Sequence, residues 1–210
     1  MNLTIEFKRP EISGAFEWQL CQEINVKNEK NEVIAKAEIE LITINKHRDA
    51  LGSYSLLADE HTDWEIPLNL YFKGQNLTKN LCDQLDIIPD SKKAKTHILI
   101  EAISVLPEFR KQAVGQFLLK EIAKHHAKAQ SLTVLSIPMY QFVDPEECED
   151  ERNKAYYQAA DLQTAQTSTD ELTNFFTKSG FIEFEVDESL LAEPLPYQIF
   201  VASPQSILRN

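Results

Sequence analysis

Val105-Leu106-Pro107-Glu108-Phe109-Arg110-Lys111-Gln112-Ala113-Val114-Gly115 joins an apolar run to an amphipathic one, and the reading of that joint decides the fold. Upstream, residues 98–105 spell Ile-Leu-Ile-Glu-Ala-Ile-Ser-Val. The short length and β-branched content favour a strand covered on both faces, and Pro107 ends it by removing a ladder donor. Downstream, Val114, Phe117, Leu118 and Ile122 fall at helical spacing, while Lys120, Glu121, Lys124 and Lys128 lie mostly off that stripe. The spacing predicts a helix beginning near Gln112 that packs on the sheet. Its first N–H groups have no internal partner, so together with the helix dipole they favour a phosphate, and Arg110 and Lys111 add local positive charge. Gly115 leaves room for a ligand to approach the backbone. A second reading stays open at this level, in which Arg110 and Lys111 only keep a strand-to-helix turn soluble.

The chain has 210 residues, 33 of them acidic against 21 basic, for a formal charge of −12. That balance argues against general affinity for nucleic acid or for an anionic membrane, so an anion site has to be local. Apolar residues make up 43% and charged residues 26%, the composition of an ordinary soluble globular protein, and no window reaches the length of a membrane span. The length suits a single domain spanning residues 1–210. No basic, apolar leader follows Met1, from which a cytoplasmic location is expected. Cys21, Cys82 and Cys148 are far apart and lack metal-ligand spacing, so neither a disulfide framework nor a metal site is expected.

Along the chain, Asn2–Phe7 reads as a first strand. Trp18–Val26 and Val33–Ile44 alternate apolar residues around the polar turn Lys27–Glu32, predicting a hairpin. Tyr54–Glu60 and Asn76–Leu85 are short helical candidates, Thr62–Phe72 is ambiguous because of Pro67, and Asp86–Lys95 reads as a loop. Beyond the central strand and helix, Ser131–Ile137 reads as a further strand. Residues 138–167 form an insertion, acidic and then Ala-, Gln- and Tyr-rich, expected to be partly helical and to wall a substrate site. Ser168-Thr169-Asp170-Glu171 supplies a cap for a helix ending at Gly180, and Phe181–Val186 and Tyr197–Ala202 read as closing strands.

The stretch Val105-x-Pro107-Glu108-Phe109-Arg110-x-x-Ala113-x-Gly115 resembles the acyl-CoA signature of the GNAT superfamily of N-acetyltransferases, V-x-P-x-[YF]-[RQ]-x-x-G-x-[GA]. Phe175-Phe176-Thr177-Lys178-Ser179-Gly180-Phe181 resembles that family's later F-Y-x-x-x-G-F element. The two motifs cover roughly residues 97–203, about half the chain; residues 1–96 carry no such likeness. The resemblance implies a mixed α/β fold (α+β, with a central mixed β-sheet flanked by helices) and transfer of acetyl from acetyl-CoA to a primary amine, without a metal. Small polyamine-like molecules, aminoglycosides, peptide N-termini and lysine side chains all remain open as acceptors. The alternative is a non-catalytic acyl-CoA-binding sensor or interaction module.

The same resemblance assigns roles. Ile103, Ser104 and Val105 hold the pantetheine arm through their backbone, and Arg110, Lys111, Gln112, Ala113, Val114 and Gly115 hold the pyrophosphate. Ala113 replaces the usual glycine, which weakens the cradle if the position needs positive φ and is harmless if it is already helical. Glu101 interrupts an apolar strand, so it has to face a cleft, find a partner or be neutralised; it is the candidate base acting through water, with a structural ion pair as the other reading. Phe176 stands in the cofactor-binding set where a tyrosine commonly protonates the leaving thiolate. Tyr140, Tyr156, Tyr157 and Tyr197 are other sources of a hydroxyl, or packing residues. The acidic run Asp144–Glu151 either attracts a protonated amine or is a solvated loop.

Overall fold

The computed structural model describes residues 2–13, 16–44, 57, 64, 72–73, 76–87, 95–137, 144–162, 169–184, 195 and 197–210. Its elements run β1 (Thr4–Phe7), β2 (Glu11–Ile12), β3 (Gln19–Lys27), β4 (Val33–Ile44), β5 (Phe72–Lys73), β6 (Asn76–Leu77) and α1 (Lys79–Leu85). There follow β7 (Lys95–Val105), α2 (Val114–His125), β8 (Ser131–Ser136), α3 (Glu151–Ala160), α4 (Thr169–Lys178), β9 (Ile182–Glu183), β10 (Gln198–Ala202) and α5 (Pro204–Arg209). The main sheet is eight-stranded in the order β1-β3-β4-β7-β8-β10-β9 with β2 also on β3, and β5 and β6 form a separate ladder. Among the described strands of the main sheet only β7 and β8 pair in parallel, and α2 makes the crossover that a parallel pair requires. This mixed sheet flanked by helices is the architecture the motif resemblance implies.

Alternation along the strands sorts the side chains onto two faces. On one, Ala35, Ala37, Ile39, Ile98, Ile100, Leu132 and Val134 pack with Val114, Leu118 and Ile122 of α2, Phe176 of α4 and Ile207 of α5. On the other, Ile42 and Leu99 pack with Leu57 and Trp64, and Ile199 and Val201 pack with Leu81, Cys82 and Leu85 of α1. The expected hairpin forms between β3 and β4, where the Asn28 side chain accepts from the N–H groups of Lys30 and Glu32 at 2.9 and 3.0 Å and Asn31 turns left-handed at φ 63°.

Several expected boundaries move. In Asn76–Leu85 the helix starts only at Lys79, because the Thr78 hydroxyl caps it by accepting from the Leu81 N–H at 3.4 Å, and residues 76–77 go to β6. The helix expected near Gln112 begins at Val114, and Lys95, expected in a loop, already belongs to β7. Most of Tyr54–Glu60 and Thr62–Phe72, residues 88–94 and 138–143, and Ser168 lie outside the described residues. Helix α5, unforeseen, starts with a reciprocal capping box between Ser203 and Ser206. It packs tightly on Gly180, whose φ is +92° and where a Cβ would come within 2.6 Å of the Ser206 carbonyl.

Candidate functional site

The opening between β7 and β8 comes from a bulge. β7 pairs with β8 only from His97 to Ile100, yet it continues along β4 to Val105, and β8 continues along β10 to Ser136. On β4 the register jumps between Glu38, opposite Ala102, and Ile39, opposite Ile100, so Glu101 is the extra residue. A bulge bends its strand and strengthens its twist, and here the bend coincides with the point where β7 parts from β8. The backbone groups of residues 101–105 on that side therefore stand outside the β7–β8 ladder.

On the α2 face a cleft of about 550 Å³ begins at this opening, bounded by Ile103 and Val105, by Arg110, Lys111, Ala113, Val114 and Gly115, and by Glu171, Leu172, Phe175 and Lys178 of α4. Lys111 and Ala113 both take left-handed backbone conformations, at φ 59° and 62°. Ala113 is the N-cap of α2 and makes no side-chain capping bond. The first N–H groups of α2 thus meet the cleft without a side-chain acceptor, and a turn of this kind gathers N–H groups into an anion-binding concavity. Ala113 therefore occupies the conformation in which glycine is easier, at a cost of roughly 1–2 kcal/mol for its Cβ.

The side chains of the expected cofactor residues do not all face the cleft. The Ser104 side chain faces away from the cleft, 6% exposed, with its hydroxyl 3.0 Å from the Tyr156 hydroxyl. Gln112 is exposed and donates to the Glu108 carbonyl at 2.6 Å rather than lining the cleft. Phe176 is 2% exposed in the core, its ring 5.6 Å from Phe181 and 5.2 Å from Phe200, so it is not a cleft residue. Its neighbour Phe175 lines the cleft and is what approaches Gly115, where a Cβ would meet its ring at 3.0 and 3.1 Å. The Arg110 guanidinium donates to the Val105 carbonyl at 2.9 Å and to the Ala160 carbonyl, tying the turn to α3. Lys111 pairs at 4.0 Å with Glu171 of α4 across the mouth, in the open.

The opposite face is acidic. Glu38, Asp144, Glu147, Glu149 and Asp150, with Cys148, Asn153 and Tyr157, line a second cleft of about 450 Å³. The described part of the insertion is partly helical, as expected, and walls this acidic cleft, with α3 laid over β4 and β7. Lys36, 6% exposed, fixes it: the ammonium donates to Asn153 and lies 4.9 Å from the Tyr156 ring centre, and burial pushes its pKa down against the pull of Glu23. Glu40, 1% exposed, accepts from Gln19 at 2.6 Å and from the Trp64 indole. Glu101 is exposed at the bulge. Burial raises the pKa of the Cys21 thiol, and the charges of Glu101, Glu38 and Glu40 raise it further, which places these carboxylates around one spot on this face. His97 is buried and structural, with Nδ1 2.8 Å from the Ser131 hydroxyl.

Neither buried tyrosine is poised to give a proton. Burial pushes Tyr156 up to about 12, and its hydroxyl donates to the Ser104 carbonyl at 3.2 Å. Burial and then the Glu38 charge raise Tyr157, which donates to Glu38 at 3.2 Å. Tyr140 lies outside the described residues. The role of Glu38 was missed, although Lys36, Glu38 and Glu40 at alternate positions of an otherwise apolar strand already mark a polar face. Among the described residues no group of three or more His, Cys, Asp or Glu could hold a metal ion, and no helix is long and apolar enough to cross a membrane.

No family model matches the sequence, and no curated protein matches it. The chain is similar to the solved structure of a bacterial toxin, at 10% identity and a TM-score of 0.42 over 90% of this chain and 70% of that one. It is similar to arylalkylamine N-acetyltransferase 2 from Aedes aegypti, at 14% identity and a TM-score of 0.39 over 87% of this chain and 73% of that one. It is also similar to NAA60 from Arabidopsis thaliana, solved in complex with acetyl-CoA, at 11% identity and a TM-score of 0.36 over 94% of this chain and 96% of that one. Likenesses this distant carry no inference about activity, which rests on the chemistry of the two clefts.

Proposed function

We propose that this protein is an N-acetyltransferase that moves acetyl from acetyl-CoA to a primary amine. The observation that carries the reading is that the two faces of one sheet carry unlike clefts, one beside the uncapped start of α2 and the other lined by carboxylates, while β7 parts from β8 beyond Ile100. The N–H groups opening α2 suit a pyrophosphate, and the β8-side backbone of residues 101–105 suits the amides of a pantetheine arm. The acidic face attracts a protonated amine. Glu101, at the bulge, accepts the amine's surplus proton through water, and holding the partners in line supplies much of the rate. A thiol of reference pKa about 8.5 is a tolerable leaving group near neutral pH.

Saturation with acetyl-CoA or CoA at about a hundred times the dissociation constant is expected to stabilise the protein by roughly 2.7 kcal/mol, read as a melting shift. Absence of any shift removes the reading. Thiol release with a panel of amines and peptides then tests turnover, and Glu101→Gln is expected to lower it by about 10²–10⁴-fold; undiminished turnover takes Glu101 out of the mechanism. The burial of Phe176 in the core and the high pKa values of Tyr156 and Tyr157 favour a second reading, a non-catalytic acyl-CoA-binding module. A CoA-induced shift with no thiol release across the panel decides for it.

A further inference from the structure

We propose that Arg110 is a positioning residue that couples the two clefts: its guanidinium holds the end of α3 to the turn that receives the pyrophosphate, so that CoA bound on the α2 face steadies the wall of the acidic cleft on the other. The inference rests on the acetyl-CoA reading and gives the Arg110 side chain a task other than contacting the phosphates. Asp150, Asn153 and Tyr157, from the cap and body of α3, line the acidic cleft, where Glu38 accepts from the Tyr157 hydroxyl at 3.2 Å. Arg110, Lys111 and Ala113 bound the other cleft. The Arg110 side chain joins these two sets. Its Nε donates to the Val105 carbonyl at 2.9 Å, and an Nη donates to the carbonyl of Ala160, the last residue of α3.

The last carbonyls of a helix have no partner within it, and the helix dipole places negative charge there, so a guanidinium is a favourable cap. At α3 the chain leaves the helix at once, through left-handed Asp161 at φ 48°. Three side chains of α3 are buried, Tyr156, Tyr157 and Ala160, and they pack with Leu106 at the start of the turn. The Tyr156 hydroxyl adds a bond to the Ser104 carbonyl at 3.2 Å. Among the partners that seat α3, Ser104, Leu106 and Arg110 thus belong to the strand end and turn assigned to the cofactor. A planar fork that bonds two carbonyls at once transmits position, because a shift of the turn misaligns both bonds. A ligand that orders the turn thereby orders α3, and an amine entering the acidic cleft has less freedom left to remove.

Hydrogen exchange on the whole chain, with and without saturating acetyl-CoA, tests this without turnover. In wild type acetyl-CoA should slow exchange at residues 110–117 and, across the sheet, at residues 156–161 by about fivefold or more. In Arg110→Met the first effect should remain, with the dissociation constant for acetyl-CoA within about threefold of wild type, and the second should shrink below about twofold. A merely structural cap would loosen α3 in the variant but leave it indifferent to acetyl-CoA in wild type. Protection at the turn with none at α3 in wild type, or α3 protection that survives in the variant, overturns the coupling. A dissociation constant raised beyond that range in Arg110→Met overturns it too, because Arg110 would then be a phosphate ligand. Wild type with no protection at the turn overturns the acetyl-CoA reading beneath. Should the methionine protein not fold, Arg110→Lys keeps the charge at the helix end without the planar fork. It should lose the α3 effect likewise, and full α3 protection in it overturns the coupling.

Discussion

The two faces of β4 and β7 are built from the same residues in alternation, yet each binds by a different means. On the α2 face the side chains are Ala35, Ala37, Ile39, Ile98 and Ile100, and the polar groups at the cleft come largely from backbone N–H at an uncapped helix start. On the α3 face the charged side chains are Lys36, Glu38, Glu40 and Glu101, three of them carboxylates. A chain with a formal charge of −12 holds an anion most readily where carboxylates are few, and at the α2-face cleft the one lining carboxylate, Glu171, is paired with Lys111. At the bulge of Glu101, beyond Ile100, the ladder between β7 and β8 ends.

The comparison is broken most forcefully at Phe176. If its ring serves the core of the α2 face and not the cleft, Phe176→Ala should destabilise by about 3–5 kcal/mol in chemical denaturation. CoA affinity, measured on the folded fraction, should barely change. The reverse result would put Phe176 back among the cleft residues.

Acid separates the faces next. Burial, and then the charge of His125, lower the pKa of His126 from 6.5 to about 4; its Nε2 lies 3.0 Å from the Gln22 side-chain oxygen, and Gln22 shares the α2 face with its partner Ile39. The unfolded chain binds this proton more readily, so stability is full above pH 6.5 and falls as pH drops toward about 4. Discounted for the half-exposed ring, the loss is about 2 kcal/mol. Denaturant melts from pH 7 to 4 should show it, and His126→Gln should remove it. Glu23, on the other face, responds at lower pH. Burial raises its pKa, but hydrogen bonds from Lys8 and Asn25 and the charge of Lys36 outweigh that and leave it lowered, so its contribution is lost below the ordinary carboxylate range. On the acidic face itself, Glu38→Gln should raise the KM for a cationic amine about fivefold, near 1 kcal/mol for one partly exposed charge, with the CoA melting shift unchanged.

How much of this was legible depends on the kind of signal each element sends. The strand, turn and helix from residue 97 to 125 and the β3–β4 hairpin declare themselves through periodicity, because burial on a fixed face forces it. The bulge sends no such signal: Glu101 reads as an interruption in an apolar run, with no glycine or proline to mark a bend. The adjacent pair Phe175 and Phe176 could not be phased, since neighbouring helical residues point about 100° apart and α4 has a core on one side and a cleft on the other. The bond from Arg110 to the Ala160 carbonyl joins residues far apart in the chain and is a tertiary fact. Left-handed Lys111 was hidden because lysine seldom takes that conformation, whereas at Ala113 the glycine of the resembled motif had already left positive φ open as one of two alternatives.

The smallest effect tests the backbone on which the α2 face depends. Ala113→Gly removes a Cβ held at φ 62°, relieving roughly 1–2 kcal/mol of local strain, while the freer unfolded chain takes back about 0.5–1 kcal/mol. The net is a stabilisation of about 0.5–1 kcal/mol, a melting temperature higher by a few degrees at most. The sign is more telling than the size. Were residue 113 in an ordinary helical conformation, the same substitution would cost about 1 kcal/mol, because glycine is a poor helix former. A lower melting temperature would therefore contradict the left-handed cap, and with it the gathering of N–H groups that makes this face the anion side. A higher one, with CoA affinity retained or improved, would mean that the alanine is tolerated strain in a cradle that still forms.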